Sequence, residues 1–304
     1  MIHRLLFFLP LLLALGFLPA HARPDPDNDE HARNAFLHAE RGHWDDAHLH
    51  AGRAQNEALS TLIEWQYLLD AESGASFDEI SRFMSEHHRW PEQRRLRVRA
   101  EMTLLDNPAS DNDVIAWFDK DPPVTGAGRI ALAEALKRQQ LSTQEHIDTL
   151  IREAWVGGDF DNAQQKRILD DYEALLTRND HIARIDRLLW EEKISAAEDV
   201  LPRVSSDYRK LFAARMALIR DKKNASSLLN SVPSSLQNNA GLLFDRMRWR
   251  ARRGDDKGVR DMLLRLPETF PYPEKWWPQR ESQVRKATDE EMAHGHAHDP
   301  SHPH

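Results

Sequence analysis

The chain has 304 residues, 41 Lys and Arg against 49 Asp and Glu, a formal charge of −8 and no cysteine. Without cysteine there are no disulfides and no thiol catalysis, so packing alone must hold the fold. The mildly acidic balance argues against nucleic acid as a partner, because phosphate binding needs clustered Lys and Arg. The basic runs at 94–99 and 246–253 lie in helical patterns, where salt bridges or a solvated face account for them.

In chain order, the first element is a short basic start, His3 and Arg4, followed by an apolar run over 5–18 interrupted by Pro10 and Gly16. Ala20-His21-Ala22 then supplies the small-x-small pattern of a signal-peptidase site. Residues 1–22 are therefore expected to be a secretory signal peptide. The run falls short of the roughly 20 residues that a spanning helix needs. The mature chain is expected to have no membrane span.

From residue 23 the charged fraction is high, Gly is scarce and β-branched runs are rare, which favours helices. A helix–turn–helix signature recurs. It appears over 39–47 (Ala39 to Ala47, with Gly42 and Trp44), 154–163 (Gly158, Phe160, Ala163), 189–197 (Ile194, Ala197, with no Gly in the turn) and, more weakly, 252–259 around Gly254. Gly ends one helix through a positive φ. The apolar residue two positions on tucks beneath the turn, and a small residue further on lets antiparallel helices approach. Ser76 with Glu79 and Ser142 with Glu145 have capping-box form. Between them, 106–128 is turn-rich, with Asn107-Pro108, a short helix expected around 114–118 and Asp121-Pro122-Pro123, and reads as a connection inside one domain. Later, Pro202, Pro233 and Pro267 each close an apolar helix at intervals of 31 and 34 residues, the length of one helical hairpin. The expected architecture is all-α, a solenoid of stacked antiparallel hairpins of the tetratricopeptide kind over 23–288.

From 289 the composition changes, and residues 289–304 are expected to form a disordered, His-rich tail. His294, His296, His298, His302 and His304 are the metal-like feature of the sequence. Alternating His without a preorganised frame amounts to adventitious binding of a borderline cation, so no metal site or other cofactor is assigned. His87-His88, at a helix end, reads as packing or as charge complement to the helix terminus.

No catalytic residue is assigned either. The sequence carries no nucleophile elbow, no phosphate-cradling Gly loop and no His-Glu-x-x-His zinc motif. The Glu-Ser steps at Glu72 and Glu281 are not followed by a groove-forming, Gly-rich stretch, and glycoside cleavage needs a carboxyl raised in pKa beside a sugar groove. The nine tryptophans read mostly as packing between hairpins. Trp276 and Trp277 are adjacent and cannot both face one core.

Several segments together resemble the soluble lytic murein transglycosylases. They are Ser76-Phe77-Asp78-Glu79-Ile80, the run from Trp90-Pro91-Glu92-Gln93-Arg94 to Glu101, 151–155, 180–190, 241–250 and Pro273-Glu274-Lys275-Trp276-Trp277-Pro278. The resemblance covers roughly 30–288. It implies the U-shaped superhelical domain of that periplasmic family, which in the family precedes a linker and a lysozyme-like domain that cleaves the MurNAc–GlcNAc bond with one glutamate. The Glu-Ser step of that catalytic domain, with the Gly-Leu-Met-Gln-type stretch after it, has no counterpart here. The expectation is thus a periplasmic, non-catalytic scaffold that binds peptidoglycan glycan strands or cell-wall enzymes. The alternative is one part of a split transglycosylase whose catalytic domain is separate.

Overall fold

The computed structural model describes residues 26–264, 266 and 270–296, with 289–296 described by their backbone alone. The expected signal peptide, residues 1–22, lies outside the described residues. Among those residues every regular element is a helix and no strand occurs. The chain divides into two compact units, Met1–Thr103 and Leu104–His304. The division falls just ahead of the turn-rich segment 106–128.

The first unit holds α1 (Pro26–Glu40), α2 (Trp44–Arg53), α3 (Glu57–Leu69), α4 (Phe77–Glu86) and α5 (Gln93–Thr103). Alanines line the α1–α2 contact: Ala35, Ala39, Ala47 and Ala51 are all buried. With only methyl groups between them, the two backbones approach closely. The turn between them is built as its sequence suggests. Gly42 takes φ +73° and the His43 N–H donates to the His38 carbonyl at 2.9 Å, which satisfies an orphan carbonyl at the end of α1. Downstream, Ser76 and Glu79 form the full capping box that opens α4. Phe77, Ile80 and Phe83 then bury one face of that helix. Trp65 Nε1 donates to the Pro91 carbonyl at 3.1 Å, which ties α3 to the loop before α5.

The second unit runs through α6 (Asp111–Lys120), α7 (Gly126–Gln139), α8 (Gln144–Gly157), α9 (Asn162–Tyr172), α10 (Arg178–Trp190), α11 (Ile194–Glu198), α12 (Ser206–Ile219), α13 (Ala225–Asn230), α14 (Ala240–Arg252), α15 (Asp256–Leu263) and α16 (Pro273–His296). The helix expected around 114–118 is the middle of α6, which is longer at both ends. Thr143, and not Ser142, caps α8: its side chain accepts from the His146 N–H, and no reciprocal Glu145 bond closes a box.

Three successive hairpins, α10–α11, α12–α13 and α14–α15, share one turn. Glu192, Asp221 and Gly254 take φ of +60°, +52° and +72°. After each, the next N–H reaches back across the turn: Lys193 to the Leu188 carbonyl, Lys222 to Ala217 and Asp255 to Arg250, at 2.8, 2.9 and 3.1 Å. Gln140, at φ +56°, repeats the device between α7 and α8, with Leu141 donating to the Leu136 carbonyl. The prolines follow as expected where they are described: Pro202 sits in the 3₁₀ turn Leu201–Arg203, and Pro233 precedes the one at Ser234–Leu236. Pro267 lies outside the described residues.

The copy at 154–163 departs from the pattern. Gly158 has an ordinary negative φ of −82°, and Ala163 is exposed. Gly158 is needed for space: a Cβ there would lie 2.5 Å from the Ala154 carbonyl oxygen and closer still to the Phe160 ring.

The second core joins Trp155, Ile185, Leu188, Leu211, Phe212, Leu218 and Leu242. Trp190, Phe244, Met247, Val259 and Trp276 form a second cluster near its end. Arginines close the helix termini. Arg184, fully buried, donates from Nη1 to the Trp155 and Gly158 carbonyls at the end of α8, from Nε and Nη2 to Gln165, and lies 4.2 Å over the Trp155 ring. Arg252 reaches the Leu218 carbonyl at the end of α12 in the same way. Cations are favoured there because the last carbonyls of a helix lack partners and its dipole is negative.

Candidate functional site

Carboxyl groups decide whether bond cleavage has a foothold in these helices. Glu72 lies exposed in the turn after α3. Glu281 lies exposed on α16, 3.1 Å from Arg285. Among the described carboxyl groups with a shifted titration, Asp245 alone is shifted upward. Burial pushes it to about 6 against the pull of Arg215. Asp245 accepts from Arg215 Nε at 2.7 Å inside the second unit, and Arg215 also pairs with Asp186. An inaccessible carboxylate locked to a buried guanidinium is a structural ion pair and has no route to a substrate oxygen.

Most arginines of the basic runs are likewise engaged. Arg97 pairs with the fully buried Glu101, and Arg99 donates to the Asp70 carbonyl at 2.9 Å. Arg248 pairs with Glu192, Arg250 with Asp255 and Arg253 with Asp221. Arg97 braces α5 along its own length, whereas the others tie α5 and α14 to neighbouring segments, which accounts for their clustering without a phosphate partner.

Two constellations in the first unit are accessible. One is a groove of about 310 Å³ between α2, α3 and α4, lined by His48, Thr61, Glu64, Glu79, Arg82 and Phe83 among others. His48 Nε2 lies 2.9 Å from Glu64, whose carboxylate holds the imidazole pKa above its ordinary value. The Ser76 backbone N–H holds Glu79 below the usual carboxylate range. The Phe83 ring meets His87 at 4.6 Å and Trp90 at 5.9 Å. The groove thus combines ionised groups, hydroxyls and an aromatic edge, a composition suited to hydrogen-bonding a polar ligand.

The other is a histidine cluster across the α1–α2 hairpin. His31 and His38 stand two helical turns apart on α1; His43 and Asp46 open α2, and His50 follows one turn after Asp46. The tight turn at Gly42 folds one row against the other. His38 Nδ1 is 3.6 Å from Asp46 Oδ2. The His38 and His50 rings stack at 5.3 Å with planes 9° apart, and His31 Nδ1 lies 3.0 Å from His50 Nδ1. Burial, with His31 and His38 nearby, holds the His50 pKa below its ordinary value. A nitrogen or oxygen atom of His38, of His43 and of Asp46 all fall within 4.8 Å of one another. Sequence reasoning missed this group. Its spacing is visible, but the density of His in the tail drew the metal reading there.

His294 and His296 fall on the backbone of α16, which continues past the expected tail boundary at 288. His298, His302 and His304 lie outside the described residues. His87 caps the end of α4 and packs against Phe83. Trp155, Trp190 and Trp276 are buried, whereas Trp277 is 63% exposed, so the adjacent pair does divide between core and solvent. Trp44, Trp65, Trp90, Trp117 and Trp249 are half-buried. No helix is long and apolar enough to cross a membrane among the described residues. No protein-family model, curated protein or solved structure matches the chain.

Proposed function

We propose that the chain is an exported, non-catalytic helical-repeat module of the kind that forms the superhelical domain of soluble lytic murein transglycosylases, and that it holds peptidoglycan strands in the periplasm. The observation that carries this reading is the recurrence of one hairpin, α10–α11, α12–α13 and α14–α15, on the same left-handed turn. Hairpins of that kind stack into a solenoid, which offers a long polymer many weak contacts in series. The groove at His48, Glu64 and Phe83 supplies hydrogen-bonding groups and an aromatic edge of the sort that sugar hydroxyls and peptide amides meet. The resemblance over residues 30–288 supplies the glycan and the compartment.

Two measurements on the purified mature chain test this. It is expected to co-sediment with isolated peptidoglycan sacculi and to leave no clearing in a peptidoglycan zymogram. Clearing by the chain alone would overturn the non-catalytic reading. Sedimentation no greater than that of an unrelated helical protein of similar charge would overturn glycan holding, and a cell-wall enzyme retained on the immobilised chain would then identify the alternative partner.

A further inference from the structure

Apart from any glycan, the α1–α2 hairpin carries a group whose chemistry is that of a cation site. We propose that His38, His43 and Asp46 bind a borderline divalent transition cation of the zinc, nickel or copper class, with water completing the coordination.

The argument starts from the backbone. The Gly42 turn and the alanine seam of Ala35, Ala39, Ala47 and Ala51 bring α1 and α2 into close contact. That contact sets the last turn of α1, which carries His38, against the start of α2, where His43 is the residue before the helix and Asp46 lies in its first turn. Three side chains from one rigid hairpin end therefore converge, with ligand atoms inside 4.8 Å of one another. Ligands about 2.0–2.1 Å from a tetrahedral ion lie about 3.3 Å apart. The 3.6 Å between His38 Nδ1 and Asp46 Oδ2 is already close to that. His43 and Asp46 are exposed, so closing the remaining gap takes only rotation of free side chains.

A second observation points the same way. His38 Nδ1 is shielded from solvent and makes no hydrogen bond. A shielded polar atom without a partner costs free energy, and so calls for an explanation such as a bound ion. The stacked His50 ring, itself tied to His31, sets the plane of the His38 imidazole and so aims that nitrogen at Asp46. Neighbours of this kind around a metal-binding His keep it oriented. Two imidazoles and one carboxylate select a borderline transition ion over calcium or magnesium, which take oxygen ligands.

The test must separate this site from the tail. The full-length chain carrying His294→Asn, His296→Asn, His298→Asn, His302→Asn and His304→Asn is titrated calorimetrically with zinc, and separately with cobalt(II) to read the ligand field in the visible spectrum. One ion per chain is expected, with cobalt bands of nitrogen and oxygen coordination. His43→Gln or Asp46→Asn in that background, both on exposed side chains, is expected to weaken binding at least tenfold while far-UV circular dichroism stays unchanged. His88→Gln, exposed and outside the group, is expected to leave it unaltered. No binding once the tail histidines are gone would overturn the proposal. So would affinity that survives both His43→Gln and Asp46→Asn.

Discussion

Gly241→Ala puts the buried ion pair of the second unit to a sharp test. Gly241 is the second residue of α14, and its Cα faces the guanidinium of Arg215. A Cβ at this position would lie 2.5 Å from Arg215 Nη2 and closer still to Cζ and Nη1. In an unobstructed helix, Gly→Ala gains about 1 kcal/mol. Here the guanidinium cannot step aside, because it is fully buried and held between Asp245 and Asp186. Displacing it leaves Asp245 buried without its cation, a loss of about 3–5 kcal/mol when one partner of such a pair is taken away. The balance is a net loss of about 2–4 kcal/mol. At about 2–4 °C per kcal/mol for a unit of this size, Tm should fall by roughly 10 °C. Urea unfolding of the full chain at pH 7, followed by far-UV circular dichroism, reads the loss as a lower midpoint at constant slope. Gly157→Ala, where a Cβ meets nothing within 4 Å, is the control and should gain up to about 1 kcal/mol. If Gly241→Ala proves as stable as the parent while the control gains, the guanidinium is not pinned and the account of this ion pair fails.

Two further substitutions probe the local signals. Gln140→Gly relieves an exposed residue at φ +56° whose backbone conformation Gly adopts freely, and should raise stability by about 1 kcal/mol in the same urea titration; a loss would mean that the left-handed turn carries no strain. Glu79→Gln tests the capping box through pH. The Glu79 carboxyl is lowered in the fold from its ordinary 4.5, so its contribution is fully present above that value and disappears as pH falls through the lower folded value. The stability gap between parent and Glu79→Gln, about 1 kcal/mol or less for a half-buried cap, should therefore be full at neutral pH and shrink as the pH is lowered through 4.5 and on below the depressed folded value. A gap that stays constant over that range would show that charge plays no part in the cap.

By itself the sequence determined the helical class and most of the punctuation. Ser76 and Glu79 act within one turn, Gly42 and Gly254 mark left-handed turns, and Pro202 and Pro233 stop helices, all through contacts a few residues long. Where Glu192 and Gln140 occupy the same turn, their residue types do not announce it, because a positive φ is uncommon outside Gly, Asn and Asp. The charge partnerships were out of reach for a related reason. Arg215 meets Asp245 and Arg184 meets Gln165 from 30 and 19 residues away, across helices whose rotation about their axes the local pattern leaves open. The histidine group lies between these cases. The intervals from His31 to His50 are plain in the sequence, but only the alanine seam between α1 and α2 decides that His38 confronts Asp46. Short-range contacts are encoded by neighbours along the chain, whereas the facing of two helices is settled by the summed fit of their whole surfaces.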